Sequence, residues 1–211
     1  MHTTPTQTDS VRVAEALAPV TQAYHAIWVE GVQLNLEDPA NTGFTDPLYG
    51  ATYLPRKFKI AFALPPTNDM DVFTNDLGFI AVVENDELLG YNVTVGGGMG
   101  RSHGNVTTYP RLASELGFIP REQLLAVARA VLTIHRDFGD RANRKHARLK
   151  YTIDDRGLDW FREELFRRLG GPLEAPRPFE FSGSGDRFGW YQGENGLWQV
   201  TLRIPAGRVA D

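Results

Sequence analysis

The sequence predicts an α+β chain in which a mixed or antiparallel sheet is covered by helices. Two patterns carry that prediction. Apolar residues alternate strictly over 57–64, and two further strand patterns come before Gly96, so the first half reads with the period of a sheet. Beyond Pro120 the apolar residues recur at the spacing of helices instead.

Taken in order, the first ten residues are polar and Thr-rich and are expected to form a disordered arm. Val13, Leu17, Val20, Tyr24, Ile27 and Trp28 then keep a helical period, with Pro19 as a kink or a fresh start. Residues 37–50 have loop composition. In the strand over 57–64, Phe58, Ile60, Phe62 and Leu64 share one face and Lys57, Lys59, Ala61 and Ala63 the other, and Pro65-Pro66 ends it. Strands over 79–84 and 88–95 are joined by Asn85-Asp86-Glu87 as a hairpin, and Gly96-Gly97-Gly98 stops the second. A helix starts near Pro120 and runs to Phe138, capped by Gly139. Helical pattern returns over 143–151 and 158–169, where Gly170-Gly171-Pro172 terminates it. After a Pro-rich connector over 172–178, strands over 187–191 and 197–204 flank Gly193-Glu194-Asn195-Gly196. The domain plan is an arm, helix and linker over 1–50, a central domain over 51–171, and a connector with the opening of an incomplete second domain over 172–211.

Composition narrows the function classes. With 211 residues, 42% of them hydrophobic and 12 Phe, 7 Tyr and 4 Trp among them, the chain can build a sizeable core. A net charge of -4 disfavours bulk attraction to nucleic acid or to anionic membranes, so no nucleic-acid or membrane partner is expected. No apolar run approaches the roughly 20 residues of a spanning helix, and the N-terminus lacks a basic region followed by an apolar stretch, which points to the cytoplasm. The absence of cysteine excludes disulfides, thiolate nucleophiles and any iron-sulfur site held by this chain's own thiolates. The five histidines show no paired metal-ligand spacing, no metal site is expected, and no G-x-S-x-G elbow is present.

Three groups of residues bear chemistry. Lys57 and Lys59, two residues apart and so about 7 Å along a strand, could hold an anion between two ammonium groups beside the small Ala61 and Ala63. The same spacing describes a solvated strand face. Gly96, Gly97 and Gly98 let backbone approach a flat or anionic ligand, or simply turn the chain. Arg136, Arg141, Arg144, Lys145, Arg148 and Lys150 gather cations in an acidic chain; Arg144 and Arg148, four residues apart on the expected helix, would suit carboxylates, and Asp137, Asp140, Asp154 and Asp155 offer ion pairs nearby. Arg101, His103 and Asn105 come just after the glycines, in either a ligand-facing or a plain surface loop.

Tyr53-Leu54-Pro55-Arg56-Lys57-Phe58-Lys59, Asn75-Asp76, Val95-Gly96-Gly97-Gly98, the run from Arg136 to Arg141, and Lys150-Tyr151 resemble, in order and spacing, the nitrite and sulfite reductase hemoprotein family. The resemblance implies a siroheme-binding α+β unit over 51–171, the first repeat of that fold, followed by the start of a second, ferredoxin-like half. It implies six-electron reduction of sulfite to sulfide at siroheme, coupled to a 4Fe-4S cluster whose ligands are not in this chain. Lys57 and Lys59 would then bind the oxyanion and supply protons, while Arg56, Gly96, Gly97, Gly98, Arg101, His103, Asn105, Arg144, Arg148 and Lys150 would face the macrocycle. Nitrite reductases of the family carry Asn at the Lys59 position and lack the full glycine triplet, which favours sulfite. The implied partners are sulfite, a C-terminal half bearing the cluster cysteines, and an electron donor that is an NADPH flavoprotein subunit or ferredoxin. On this reading the chain alone is inactive, a piece of a larger reductase. A nitrite reductase of the same family and a non-catalytic tetrapyrrole-binding module are the alternatives.

Overall fold

A computed structural model describes residues 5–19, 27–29, 32–34, 45–185, 188–193 and 196–204. At its centre lies a four-stranded mixed sheet of β3 (Ile60–Ala63), β4 (Leu77–Glu84), β5 (Glu87–Val95) and β6 (Ser114–Pro120), adjacent in that order. The first pair is parallel and the other two are antiparallel. Helices α1 (Pro5–Leu17), α2 (Leu124–Phe138), α3 (Leu149–Arg156) and α4 (Leu158–Leu169) pack on one face of it, and two short hairpins form separate sheets: β1 (Ile27–Val29) with β2 (Val32–Leu34), and β7 (Gly189–Gln192) with β8 (Trp198–Thr201).

The β4–β5 hairpin closes where its sequence predicts but one residue tighter, since Glu87 already pairs with Glu84 as the first residue of β5. Asn85 and Asp86 both take positive φ, 51° and 63°, the signature of a two-residue turn whose twist matches the flanking strands. Alternate residues of β4 and β5, among them Leu77, Phe79, Tyr91 and Val93, pack with Val127, Val131 and Ile134 of α2 and Phe161 and Leu165 of α4. Phe58, Ile60 and Phe62 join this core as their alternation requires, whereas Leu64, expected on the same face, lies past the end of β3 and is exposed.

Several expectations are corrected. The arm is not disordered from residue 5 onward: α1 starts at Pro5 and ends at Leu17, Val20 and Tyr24 of the expected helix lie outside the described residues, and Ile27 and Trp28 lie in β1. Its cause is tertiary. Asp9 is fully buried and accepts hydrogen bonds from Tyr91 Oη (2.7 Å), Arg12 Nη1 (2.9 Å) and the fork of Arg121 (2.7 and 3.0 Å). Burial works to raise the Asp9 carboxyl, yet the Arg121 and Tyr91 hydrogen bonds more than offset it and hold it below its ordinary value.

The first strand is shorter than 57–64, and Lys57 and Lys59 lie in the segment ahead of it. Its second face is not solvated either. Ala61 and Ala63 are buried with Val72 and Ile80 beneath Phe73, Phe179 and Phe181, so the Pro-rich connector and the residues after it cover the sheet opposite the helices. Main-chain bonds between Phe118 and Glu174, and from Asn68 N–H to Gly183 O, fasten this cover at both ends. The strand β6 has no counterpart in the sequence-based plan. The helix expected over 143–151 is a turn that enters α3 only at Leu149, because Asp140 Oδ1 accepts the N–H groups of Ala142 and Asn143 and Asn143 Oδ1 that of Lys145.

The register brings one end of the sheet together. Ile60 pairs with Leu77, Leu77 with Val95, and Val95 with Ser114, so the residues before β3 and β4, after β5 and before β6 all converge there. Removing the α1 anchor tests the tertiary origin of that helix. Asp9→Ala should lower the unfolding free energy by about 2–4 kcal/mol in urea titrations, with α1 amides losing exchange protection first, because Tyr91 and Arg121 would be left without their buried acceptor. An unchanged midpoint would refute the anchor.

Candidate functional site

At the convergent end, a buried carboxylate organises the backbone. Asp76 is fully buried; its Oδ2 accepts the Lys59 N–H (2.9 Å), and Arg148 donates from Nε and Nη2 to Oδ1 (3.0 and 2.9 Å) and from Nη2 to Oδ2 (3.0 Å). The Asp76 carbonyl accepts the Gly96 N–H (2.9 Å), and Arg148 Nη2 also reaches Gly97 O (3.2 Å). Burial pushes the Asp76 carboxyl up, against the pull of the Arg148 charge and the Lys59 amide.

The glycine triplet is needed by the chain itself. The amides of Gly96, Gly97 and Gly98 donate to Asp76 O, Asn75 O and Arg111 O. A Cβ on Gly97 would stand 2.2 Å from the Phe73 carbonyl oxygen, and Gly96 has φ of +80°. Beside them Lys150, 1% exposed, donates to the carbonyls of Gly98 (3.1 Å), Gly100 (3.0 Å) and Tyr109, with its ammonium 4.8 Å from the centre of the Tyr151 ring. Burial, followed by the Arg148 charge, lowers its pKa. Lys150 thereby pins both ends of the loop over 98–109.

Above this layer lies a cleft of two lobes. A cavity of about 490 Å³ is lined by Arg56, Lys57, Arg101, Arg144, Lys145, Arg148 and Lys150 together with small polar groups and Tyr151, with no carboxylate among the described residues of its wall. A second cavity of about 660 Å³ shares Arg56, Lys57 and Arg144 and is otherwise walled by Tyr49, Tyr53, Leu54, Pro55, Phe58 and other apolar groups. An apolar, aromatic lobe joined to a cationic one suits a large flat ligand that carries several carboxylates, or an oxyanion held against such a ligand.

Of the residues singled out from the sequence, Arg56, Lys57, Arg101, Arg144, Arg148 and Lys150 meet in this cleft. Arg144 and Arg148 do so without sharing a helix face, since 143–148 precedes α3. The three glycines lie buried beneath it. The exposed Lys59 side chain, His103 and Asn105 are not in the walls of either cavity. Asn105 Oδ1 instead accepts the Thr107 N–H and hydroxyl, folding its own loop. Sequence reasoning missed Asp76 as the hub and the aromatic wall of Tyr49 and Tyr53. A carboxylate set directly before a continuous apolar strand was the available signal for Asp76.

Behind the wall stands His135, fully buried, its ring stacked on Phe58 at 5.8 Å and facing the Arg56 backbone. Burial, and then the charges of Arg148 and Arg141, lower its pKa to about 4, so it is a neutral core group at pH 7.

The family model described as the nitrite and sulphite reductase 4Fe-4S domain matches residues 8–173. The chain belongs to the nitrite and sulphite reductase family. It is 59% identical over 202 residues to the sulfite reductase [NADPH] hemoprotein beta-component of Myxococcus xanthus, covering 96% of this chain and 35% of that protein. The proteins of the same description from Xanthomonas euvesicatoria and Lysinibacillus sphaericus are 54% and 52% identical with the same coverage. The chain thus spans about a third of the length of these relatives. Among solved structures, the NirA protein of Mycobacterium tuberculosis aligns with a TM-score of 0.57 at 34% identity, covering 69% of this chain and 26% of that one. For a nitrite and sulphite reductase domain, the described residues fit a polycarboxylate macrocycle through the cationic and aromatic lobes. They do not fit an iron-sulfur cluster, because the chain has no cysteine.

Two variants test this architecture. Gly97→Ala should destabilise the chain by about 1–3 kcal/mol or more, since the methyl group meets main chain that cannot yield; denaturant titration would measure it. For His135, the unfolded chain binds a proton near the ordinary 6.5 that the folded chain resists until about 4. Its contribution is therefore complete above pH 6.5 and falls away as pH drops toward 4, by roughly 1–3 kcal/mol. Replacing it, as His135→Phe, should flatten the stability profile in that window, and an unaltered profile would contradict the assignment.

Proposed function

We propose that this chain supplies the substrate-facing wall of a sulfite reductase hemoprotein, which reduces sulfite to sulfide by six electrons at siroheme coupled to a 4Fe-4S cluster. The observation that carries the reading is the cationic lobe opening beside an aromatic one, with Arg56 and Lys57 at their junction. The hemoprotein descriptions of relatives at 52–59% identity point the same way. Siroheme, when bound, supplies the iron at which sulfite is reduced. The macrocycle's carboxylates would be met by Arg56, Arg101, Arg144 and Arg148, with Lys150 and Gly96 to Gly98 shaping the floor and His103 and Asn105 on the rim loop.

Lys57 from the cleft wall, joined by Lys59 from the exposed segment two residues further on and outside both cavity walls, would hold the substrate oxyanion and deliver protons to oxygens leaving as water. An ammonium suits both tasks, being a compact positive charge and a proton donor. Its attraction for an anion is strengthened where, among the described residues, no carboxylate shares the cavity wall.

The cluster, the remaining half of the hemoprotein and an electron donor, an NADPH flavoprotein subunit or ferredoxin, would come from outside this chain, and the setting would be the cytoplasm. The hairpin β7–β8 would open the second, ferredoxin-like half. Its exposed aromatics support this: Trp190 and Trp198 are 70% and 64% exposed, a surface that calls for a covering partner.

In the full-length hemoprotein carrying this chain, Lys57→Met should reduce sulfite turnover about a hundredfold, the scale of a lost general acid, while the siroheme absorbance stays intact. Unchanged turnover with the cofactor bound would overturn the role of Lys57.

A further inference from the structure

The cleft wall that carries Tyr53, Arg56 and Lys57 has no regular secondary structure of its own. It lies ahead of β3, and its shape is set by the chain at the C-terminal end of α2. Arg141 donates from Nη1 to Thr52 O (3.0 Å) and from Nη2 to Tyr53 O (2.5 Å) and Arg136 O (2.9 Å). Among the described residues it makes no ion pair. A guanidinium engaged with three carbonyls and no carboxylate is a clamp, and only a planar fork can span two successive carbonyls and a third behind them.

The clamped segment is strained. Tyr53 has φ of 53°, a left-handed conformation that a bulky L residue seldom adopts unless its surroundings impose it. That conformation stacks the Tyr53 ring on Tyr49 at 5.7 Å, in the wall of the aromatic lobe. The neighbouring contacts share the direction of the clamp: Arg136 Nη1 donates to Leu48 O (2.5 Å), and Gly139 lies so close to Pro55 that a Cβ there would come within 2.5 Å of its ring. The C-terminal end of α2 therefore grips the wall at Leu48, Thr52, Tyr53 and Pro55. Four residues beyond Tyr53 stands Lys57.

We propose that Arg141 is a positioning residue for the reaction: its fork fixes the 52–57 wall in the conformation that sets the Lys57 ammonium at the junction of the two lobes. This rests on the proposed role of Lys57. Arg141 itself lies outside the walls of both cavities and acts only through the main chain it holds.

The test uses Arg141→Met and Arg141→Lys. In the chain without cofactor, trypsin cleavage after Arg56 and Lys57, read out by mass spectrometry, reports on the wall directly. Cleavage there should quicken about tenfold or more in Arg141→Met, with cuts elsewhere and the thermal midpoint little changed, because local opening is governed by the lost clamp. Arg141→Lys should be intermediate, since one ammonium replaces only part of the fork. In the full-length holoenzyme, kcat/KM for sulfite should fall about tenfold in Arg141→Met with siroheme absorbance retained, and recover in part with Lys. Cleavage at Arg56 and Lys57 unchanged, or raised only in step with every other site, would overturn the proposal, as would full sulfite turnover in Arg141→Met. A wild-type holoenzyme that bound siroheme but did not reduce sulfite would instead sink the proposed function, leaving the protease result to decide whether Arg141 orders the wall.

Discussion

The pairing of Asp76 with Arg148 is the interaction on which the rest of the site depends. Seventy-two residues apart in sequence, they join the entry of β4 to the entry of α3, and through Lys59 N–H and Gly96 N–H the same aspartate residue ties in the approaches to β3 and the exit of β5. A buried carboxylate needs several donors to be tolerated. Here the donors are the very segments that must meet, so satisfying the charge also assembles the floor of the cleft.

Above that floor the chain places positive charge with little to cancel it. Arg148 is engaged by Asp76 and Lys150 by three carbonyls, which makes these two cations part of the scaffold as well as of the cavity wall. Arg56, Lys57, Arg101, Arg144 and Lys145 are set around them at the surface of the cleft. Mutual repulsion among these groups is tolerable because most reach solvent, and it is relieved when an anion enters. The division between cations bonded within the scaffold below and cations set at the cleft surface above explains how an acidic chain can present a strongly basic cavity.

Much of this was legible in the sequence where short-range chemistry decides. The Asn85-Asp86 turn, the strands on either side of it and the length of α2 from its apolar period to Gly139 obey local rules. The cations of the cleft also stand out as two local clusters. The features that were not legible depend on distant partners. The Thr-rich stretch after Pro5 is helical because Tyr91 and Arg121, 82 and 112 residues away, bury Asp9. In β6 a short apolar run interrupted by Gly117 and ended by Pro120 gives no period, and it becomes a strand by pairing with β5. The glycine triplet left a ligand approach and a chain turn equally open from sequence, because the groups that crowd it, Ile153 and Arg111 at Gly96, Phe73 and Asn75 at Gly97 and Arg148 at Gly98, come from distant parts of the chain. Polar side chains of Asp140 and Asn143 broke a helix that periodicity favoured.

The cover on the second sheet face has a mechanical consequence. Residues 174–183 lie across the strands and are stitched at Phe118 on one edge and Asn68 beside the other, with Arg177 further held by the Asn92 side chain. The Pro-rich connector is thus a fixed rail along the sheet. Packing of Phe179 and Phe181 on the sheet, with the Asn68 N–H bonded to Gly183 O, fixes the chain against this unit as far as Gly183. Lengthening the chain within this rail would not loosen a hinge; it would strip a wall from the core.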